Sequence, residues 1–165
     1  MTWGKRKIAG TEYNLSHLNP FILPVNLGKR SVRIQVSFGA HAFTREFAKG
    51  DTPDLRFMDG SVPRTFCIDR YGHSLRLPEA VCQAVEGLVC LSKNQLVLNT
   101  SLPGLSGPYL VVFDIRKDAR KRFDAKLHVR TAHHRPNLNQ KLPYAKFRVV
   151  LENVISGRPI RWTKK

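Results

Sequence analysis

YLVVFDIRKDARKRFDAKLHVRTAHHR, residues 109–135, decides the fold. The run YLVVFDI (109–115) is apolar enough for a central strand. In FDAKLHVRT (123–131), Phe123, Ala125, Leu127, Val129 and Thr131 share one face, and Asp124, Lys126, His128 and Arg130 share the other. The charged turn 116–122 joins the two as an antiparallel pair. One side of that pair faces a core and the other is polar and basic.

Neighbouring segments extend this sheet. In SVRIQVSF (31–38), Val32, Ile34, Val36 and Phe38 alternate with Ser31, Arg33, Gln35 and Ser37, as in a half-buried strand. FILPVNL (21–27) precedes it across Gly28-Lys29-Arg30, and Pro24, with no N–H to donate, belongs at an edge or bulge. LVCLS (88–92) and QLVLN (95–99), around Lys93-Asn94, form a tight hairpin. RTFCID (64–69) is a short strand, and the Gly-, Pro- and Asp-rich stretch 48–64 is a loop. LPEAVCQAVEG (77–87) is a helix, with Pro78 and Glu79 in its first turn, Gly87 at its end, and Val81, Ala84 and Val85 turned to the core. In 144–160, Phe147, Val150, Leu151, Val154 and Ile155 have helical spacing, and Gly157 stops the helix; KFRVVLE would also serve as a strand. The expected class is α+β, an antiparallel sheet of about six strands with one or two packed helices. Residues 1–18 are expected to be a flexible basic arm, and 19–165 a single domain.

The length of 165 residues suffices for a hydrophobic core. With 42% hydrophobic residues and 9% aromatics, the chain is not a disordered basic tail. It lacks a run of about 20 apolar residues to span a membrane, and its start lacks the apolar stretch of a secretory signal. Three widely spaced cysteines (Cys67, Cys82, Cys90) read as core residues of a reduced protein, so a cytoplasmic location is expected. The formal net charge is +16. Residues 1–115 hold 13 basic and 9 acidic side chains, whereas 116–165 hold 15 and 3, so the excess lies late in the chain. Such a field favours polyanions, nucleic acid above all, and the basic stretch has no amphipathic helix beside it to suit a membrane.

The residue types on the polar face of 123–131 suit metal-free RNA cleavage. That reaction needs a base for the 2′-hydroxyl proton, an acid for the leaving 5′-oxygen, and cations for the charged transition state. His128 and His133 are candidates for the proton transfers, and Arg130 and Lys126 for holding phosphate. Arg116, Lys117, Arg120, Lys121, Arg122, His134 and Arg135 complete the expected nucleic-acid surface. A basic strand that binds phosphates without cutting them explains the same residues.

The segment KLHVRTAHHR resembles a strand of bacterial ribonuclease toxins in the barnase–EndoU–colicin–RelE-like group, which often reads Val-x-Thr-Ala-Tyr-Pro there. The likeness covers about ten residues. It implies metal-independent RNA cleavage on a curved antiparallel sheet, with an acidic antitoxin or immunity protein as partner. Arg130, Thr131 and His133 carry the correspondence, although His133 stands where the group has Tyr and no proline follows directly.

Two further clusters are secondary candidates: His41 and Arg45 in GAHAFTRE (39–46), where Gly39 could mark a bulge, and Tyr71 and His73 in IDRYGHSLRLPE (68–79). Both are also explained by ordinary strand-end and loop packing. Cysteine and histidine spacing gives no four-ligand zinc pattern, and there is no Walker loop, GxGxxG, HExxH or GxSxG, so neither metal nor cofactor is expected. The leading expectation is an RNA-directed protein with toxin-like endoribonuclease activity. The alternatives are a non-catalytic nucleic-acid-binding accessory protein and an interaction protein that docks an acidic partner.

Overall fold

The computed structural model describes residues 2–135 and 141–163. Its strands, in chain order, are β1 (Lys5–Ile8), β2 (Thr11–Asn14), β3 (Phe21–Asn26), β4 (Ser31–Phe38), β5 (Thr44–Glu46), β6 (Arg56–Asp59), β7 (Val62–Phe66), β8 (Leu88–Ser92), β9 (Gln95–Thr100), β10 (Tyr109–Lys117), β11 (Ala125–His134) and β12 (Tyr144–Lys146). The helices are α1 (Ile68–Ser74), α2 (Leu77–Ala84) and α3 (Phe147–Ser156). The class is α+β, as the patterning indicates.

Seven strands form the main sheet in the order β12-β8-β9-β10-β11-β4-β3, with β10 central and paired to both β9 and β11. Every pair is antiparallel except β11 with β4, which run parallel and set Gln35 beside Lys126 and Ser37 beside His128. That one pair makes the sheet mixed. Its strands are far apart in sequence, so no local turn signal reveals their pairing.

One face of the sheet is the core. Tyr109, Val111 and Phe113 of β10 and Ala125, Leu127 and Val129 of β11 are fully buried there, with Val32, Ile34 and Val36 of β4. Helix α3 lays Phe147, Val150 and Leu151 on this face, and the Phe113 and Phe147 rings lie 6.3 Å apart. Gly157 closes α3 at φ 67°, the left-handed cap that its lack of a side chain permits. The other face is largely polar, apart from a small cluster of Val97, Leu110 and Val112. Lys93 and Asn94 take φ of 46° and 62°, as the tight β8–β9 hairpin requires.

Several expectations need correction. The basic arm is not loose: β1 and β2 pair, and Trp3, Ile8, Leu15 and Leu18 are buried in the main core. The 48–64 loop contains β6 and the start of β7, a hairpin turning at Gly60-Ser61 within a separate three-stranded sheet, β5-β7-β6. Gly-Ser is itself a hairpin signal, here outweighed by the surrounding Pro and Asp. The segment before α2 is helical as α1 instead of a loop, which raises the helix count to three among the described residues.

Thr131 also changes face. Val112 pairs with Thr131 but Phe113 with Val129, so Arg130 is the extra residue of a β-bulge. The bulge shifts the alternation by one. Ala132 therefore takes the buried position, and Thr131 joins His128 and Arg130 on the polar side.

Candidate active site

On the polar face, where β4 leaves β11, an open cleft of about 260 Å³ is lined by Gly39, His41, Asp59, Gln95, Val112, Asp114, His128, Arg130 and Thr131. Segments distant in sequence supply these groups. β11 gives His128, Arg130 and Thr131. The turn after β4 gives His41, the β6–β7 hairpin gives Asp59, and β9 and β10 form the floor.

Backbone packing fixes the two histidines. The amide of Gly39 donates to the Val129 carbonyl at 2.9 Å, which holds the turn carrying His41 against the bulge. His128 Nδ1 lies 3.0 Å from Ser37 Oγ, and that hydroxyl donates to the Leu127 carbonyl at 3.5 Å. With the hydroxyl proton on the Leu127 carbonyl, Ser37 Oγ accepts from Nδ1–H, the tautomer that leaves the lone pair of Nε2 free. Gly39 lies close beneath the imidazole: a Cβ there would sit 3.3 Å from His128 Nε2 and 3.4 Å from the Arg130 carbonyl oxygen, so the ring would have to give way. Gly39→Val is expected to displace the imidazole while the fold persists. The check is the His128 ring resonances by NMR, which should move while those of His17 stay; unmoved His128 signals would show that the glycine is not needed.

His41 Nε2 faces Asp59 Oδ2 at 3.7 Å. Burial pulls the pKa of both His41 and His128 below the ordinary histidine value. For His41 the charge of Arg64 adds to this and Asp59 opposes it. For His128 Asp114 opposes it, and Arg116 and Arg130 reinforce it. Arg64 is itself 8% exposed, its Nε donating to Thr44 Oγ1 at 2.7 Å, so it is a fixed positive charge beneath the cleft. Arg130 meets Asp114 at 3.7 Å, and both side chains are at least half exposed. An ion pair of that kind is worth about 0–1 kcal/mol, weak enough for Arg130 to exchange its partner for an anion.

The other candidates lie elsewhere. His133 sits two residues past Thr131, opposite Leu110 and outside the cleft lining; burial lowers its pKa, with Arg135 and Arg70 contributing. His134 lies with Nε2 2.6 Å from the Ser106 carbonyl oxygen, and Arg135 is exposed on the strand exit. His73 stacks edge-on to buried Tyr109, and Tyr71 packs among Tyr13 and Phe66. Arg45 is ion-paired with Asp51 in the three-stranded sheet. Lys126 does not face the cleft as a free cation: its Nζ lies 2.9 Å from Asp118, whose side chain is 2% exposed. Arg116 is exposed on the polar face, and Arg120 on the turn after β10. Asp59, Asp114, Gln95, Arg64 and Ser37 belong to the site although no motif marks them in the sequence. The one local signal is the Ser37 position, in phase with Arg33 and Gln35 on a strand already readable as polar on that side.

Among the described residues no group of three or more His, Cys, Asp or Glu side chains is placed to hold a metal ion, and no helix is long and apolar enough to cross a membrane. A family model matches residues 5–155, from β1 to the last turn of α3. The chain belongs to the YjaZ family. No curated protein and no solved structure matches it. The match to the YjaZ family spans every segment that contributes to the cleft, so the cleft lies wholly within the family region.

Proposed function

We propose that this protein binds RNA along the polar face of its main sheet and cleaves it in the cleft by acid–base catalysis. The observation that carries the reading is the convergence of His41, His128, Arg130 and Thr131, from two distant segments, on one open cleft. His128 Nε2 takes the proton of the ribose 2′-hydroxyl. The 2′-oxygen attacks phosphorus as the bond from phosphorus to the 5′-oxygen breaks. His41, protonated and paired with Asp59, gives its proton to that leaving oxygen. The products are a 2′,3′-cyclic phosphate and a 5′-hydroxyl end. Arg130 and the Thr131 hydroxyl stabilise the charge that gathers on the non-bridging oxygens. The 15 basic side chains in residues 116–165 support the choice of a phosphate polymer as substrate.

Purified protein incubated with single-stranded RNA in EDTA is expected to release fragments ending in 2′,3′-cyclic phosphate. Binding without any cleavage would overturn the catalytic part and leave a non-catalytic RNA-binding protein. An absence of binding would overturn the whole reading.

A further inference from the structure

A second recess lies at the far end of the main sheet, where Ile155 of α3, on the core side, forms part of its wall. It has a volume of about 420 Å³ and sits where the β3–β4 turn meets the turn between β10 and β11. Arg30, Arg33, Lys117, Lys121 and Arg122 line it around Phe123. These cations converge from two segments far apart in sequence. Among the described residues, no carboxylate lies within ion-pair distance of any of their side chains.

The two carboxylates in the recess are already engaged. Asp118 takes Lys126 Nζ at 2.9 Å, the Arg122 amide at 3.1 Å, the Phe123 amide at 3.2 Å and the Arg120 amide at 3.3 Å. These bonds, Lys126 first, hold its pKa at about 2, so it stays an anion committed to shaping the turn. Asp124 accepts the Arg33 amide at 2.8 Å. The Arg33 guanidinium lies 5.7 Å from the centre of the Phe123 ring. That contact steadies a planar donor fork that has no acid to bind. A turn braced internally by its acids and presenting its cations outward is built to receive an anion.

Arg33 and Ser37 occupy the same face of β4 four residues apart, a separation of about 13 Å along a strand. Ser37 holds His128 in the cleft, and Arg33 belongs to the recess. We infer that the recess is a distal subsite for backbone phosphates of the same single-stranded RNA whose scissile bond lies in the cleft. The substrate is therefore an oligonucleotide that spans both, and a dinucleotide reaches the cleft alone. This inference rests on the reading of the protein as an RNA-binding enzyme.

The test compares Arg30→Ala/Lys121→Ala/Arg122→Ala with a control that removes equal charge elsewhere, Arg6→Ala/Lys7→Ala/Lys49→Ala. Binding of a fluorescent, uncleavable 2′-O-methyl RNA 12-mer is measured against salt. Each lost phosphate contact should reduce the salt slope by about 0.7. The recess variant is expected to lose about two units of slope and at least about tenfold in affinity, with the control close to wild type. In cleavage, KM for the 12-mer should rise with kcat retained, and dinucleotide cleavage should not change. Lys121→Glu, a single change on an exposed turn, gives the same direction if the triple variant folds poorly. Equal losses in both triple variants, or none in either, overturn the subsite while RNA binding by the wild type stands. A wild type that binds no RNA overturns the functional reading itself.

Discussion

His128→Ala is expected to lower the RNA cleavage rate by about a hundred- to ten-thousandfold, the range that a positioned general base contributes, and to leave RNA affinity within about twofold. The small effect on affinity follows from geometry. His128 is held through Nδ1 by Ser37 and is pulled below its ordinary pKa by burial, so at neutral pH it is uncharged and adds little to phosphate attraction. In the proposed mechanism its contribution is confined to the proton it accepts at Nε2. The pH profile carries the same argument with a definite sign. In the proposed mechanism the active form has His128 neutral and His41 protonated. Both pKa values lie below the ordinary histidine value of 6.5, so the rate should peak on the acid side of that value. Above it the rate should fall about tenfold per pH unit as His41 loses its proton. Asp59→Asn removes the carboxylate that raises the His41 pKa, so the alkaline limb should move to lower pH, a shift that a merely structural role for Asp59 would not produce. A rate maximum at neutral or higher pH, or full activity in His128→Ala, would remove these two histidines from the chemistry.

The pieces of this site were legible in the sequence, but its assembly was not. Period-two alternation identified β4 and β11 and the polar face of each, because alternation is local and each strand buries one side. The helical spacing of Phe147 to Ile155 identified α3 for the same reason. Three features came from pairings that local patterns do not encode. The parallel registry of β4 on β11 sets Ser37 beside His128. The bulge at Arg130 turns Thr131 outward, although unbroken alternation placed it in the core. The return of the β6–β7 hairpin delivers Asp59 to His41. His41 was thus readable as a strand-end residue and lines the same cleft as His128 through tertiary packing alone. His133, two residues past Thr131 and close to His128 in sequence, lies outside the cleft lining. Charge was more misleading than apolar pattern. Lys126 counts in the net charge like any lysine, yet its ammonium is held by buried Asp118, whereas Arg30 and Arg33, outside the basic block, line the distal recess.

The N-terminal segment provides the second large effect. Its basic residues, Lys5, Arg6 and Lys7, are exposed and give the sequence the look of a loose arm, but Trp3 ahead of them is only 6% exposed. Its indole Nε1–H donates to the Phe38 carbonyl at 3.2 Å, and its ring meets Phe43 edge-on at 5.2 Å. Phe38 is the last residue of β4 and Phe43 follows the turn that carries His41, so Trp3 braces both ends of the segment that positions the cleft. Trp3→Ala removes the ring and leaves the Phe38 carbonyl without its donor. Truncation of a buried aromatic costs about 3–5 kcal/mol. That is a large part of the roughly 5–15 kcal/mol that holds an ordinary domain together. At a few degrees per kcal/mol for a chain of this length, the thermal midpoint should fall by about 10 °C. The urea midpoint should fall as well, with little change in slope, since the surface exposed on unfolding is nearly the same. Thermal and urea melts followed by circular dichroism decide the matter. A shift of less than about 2 °C would return residues 1–18 to the status of a loose arm. A surface substitution usually changes stability by no more than about 0.5 kcal/mol. A shift of about 10 °C is well beyond that and makes the segment a structural part of the fold.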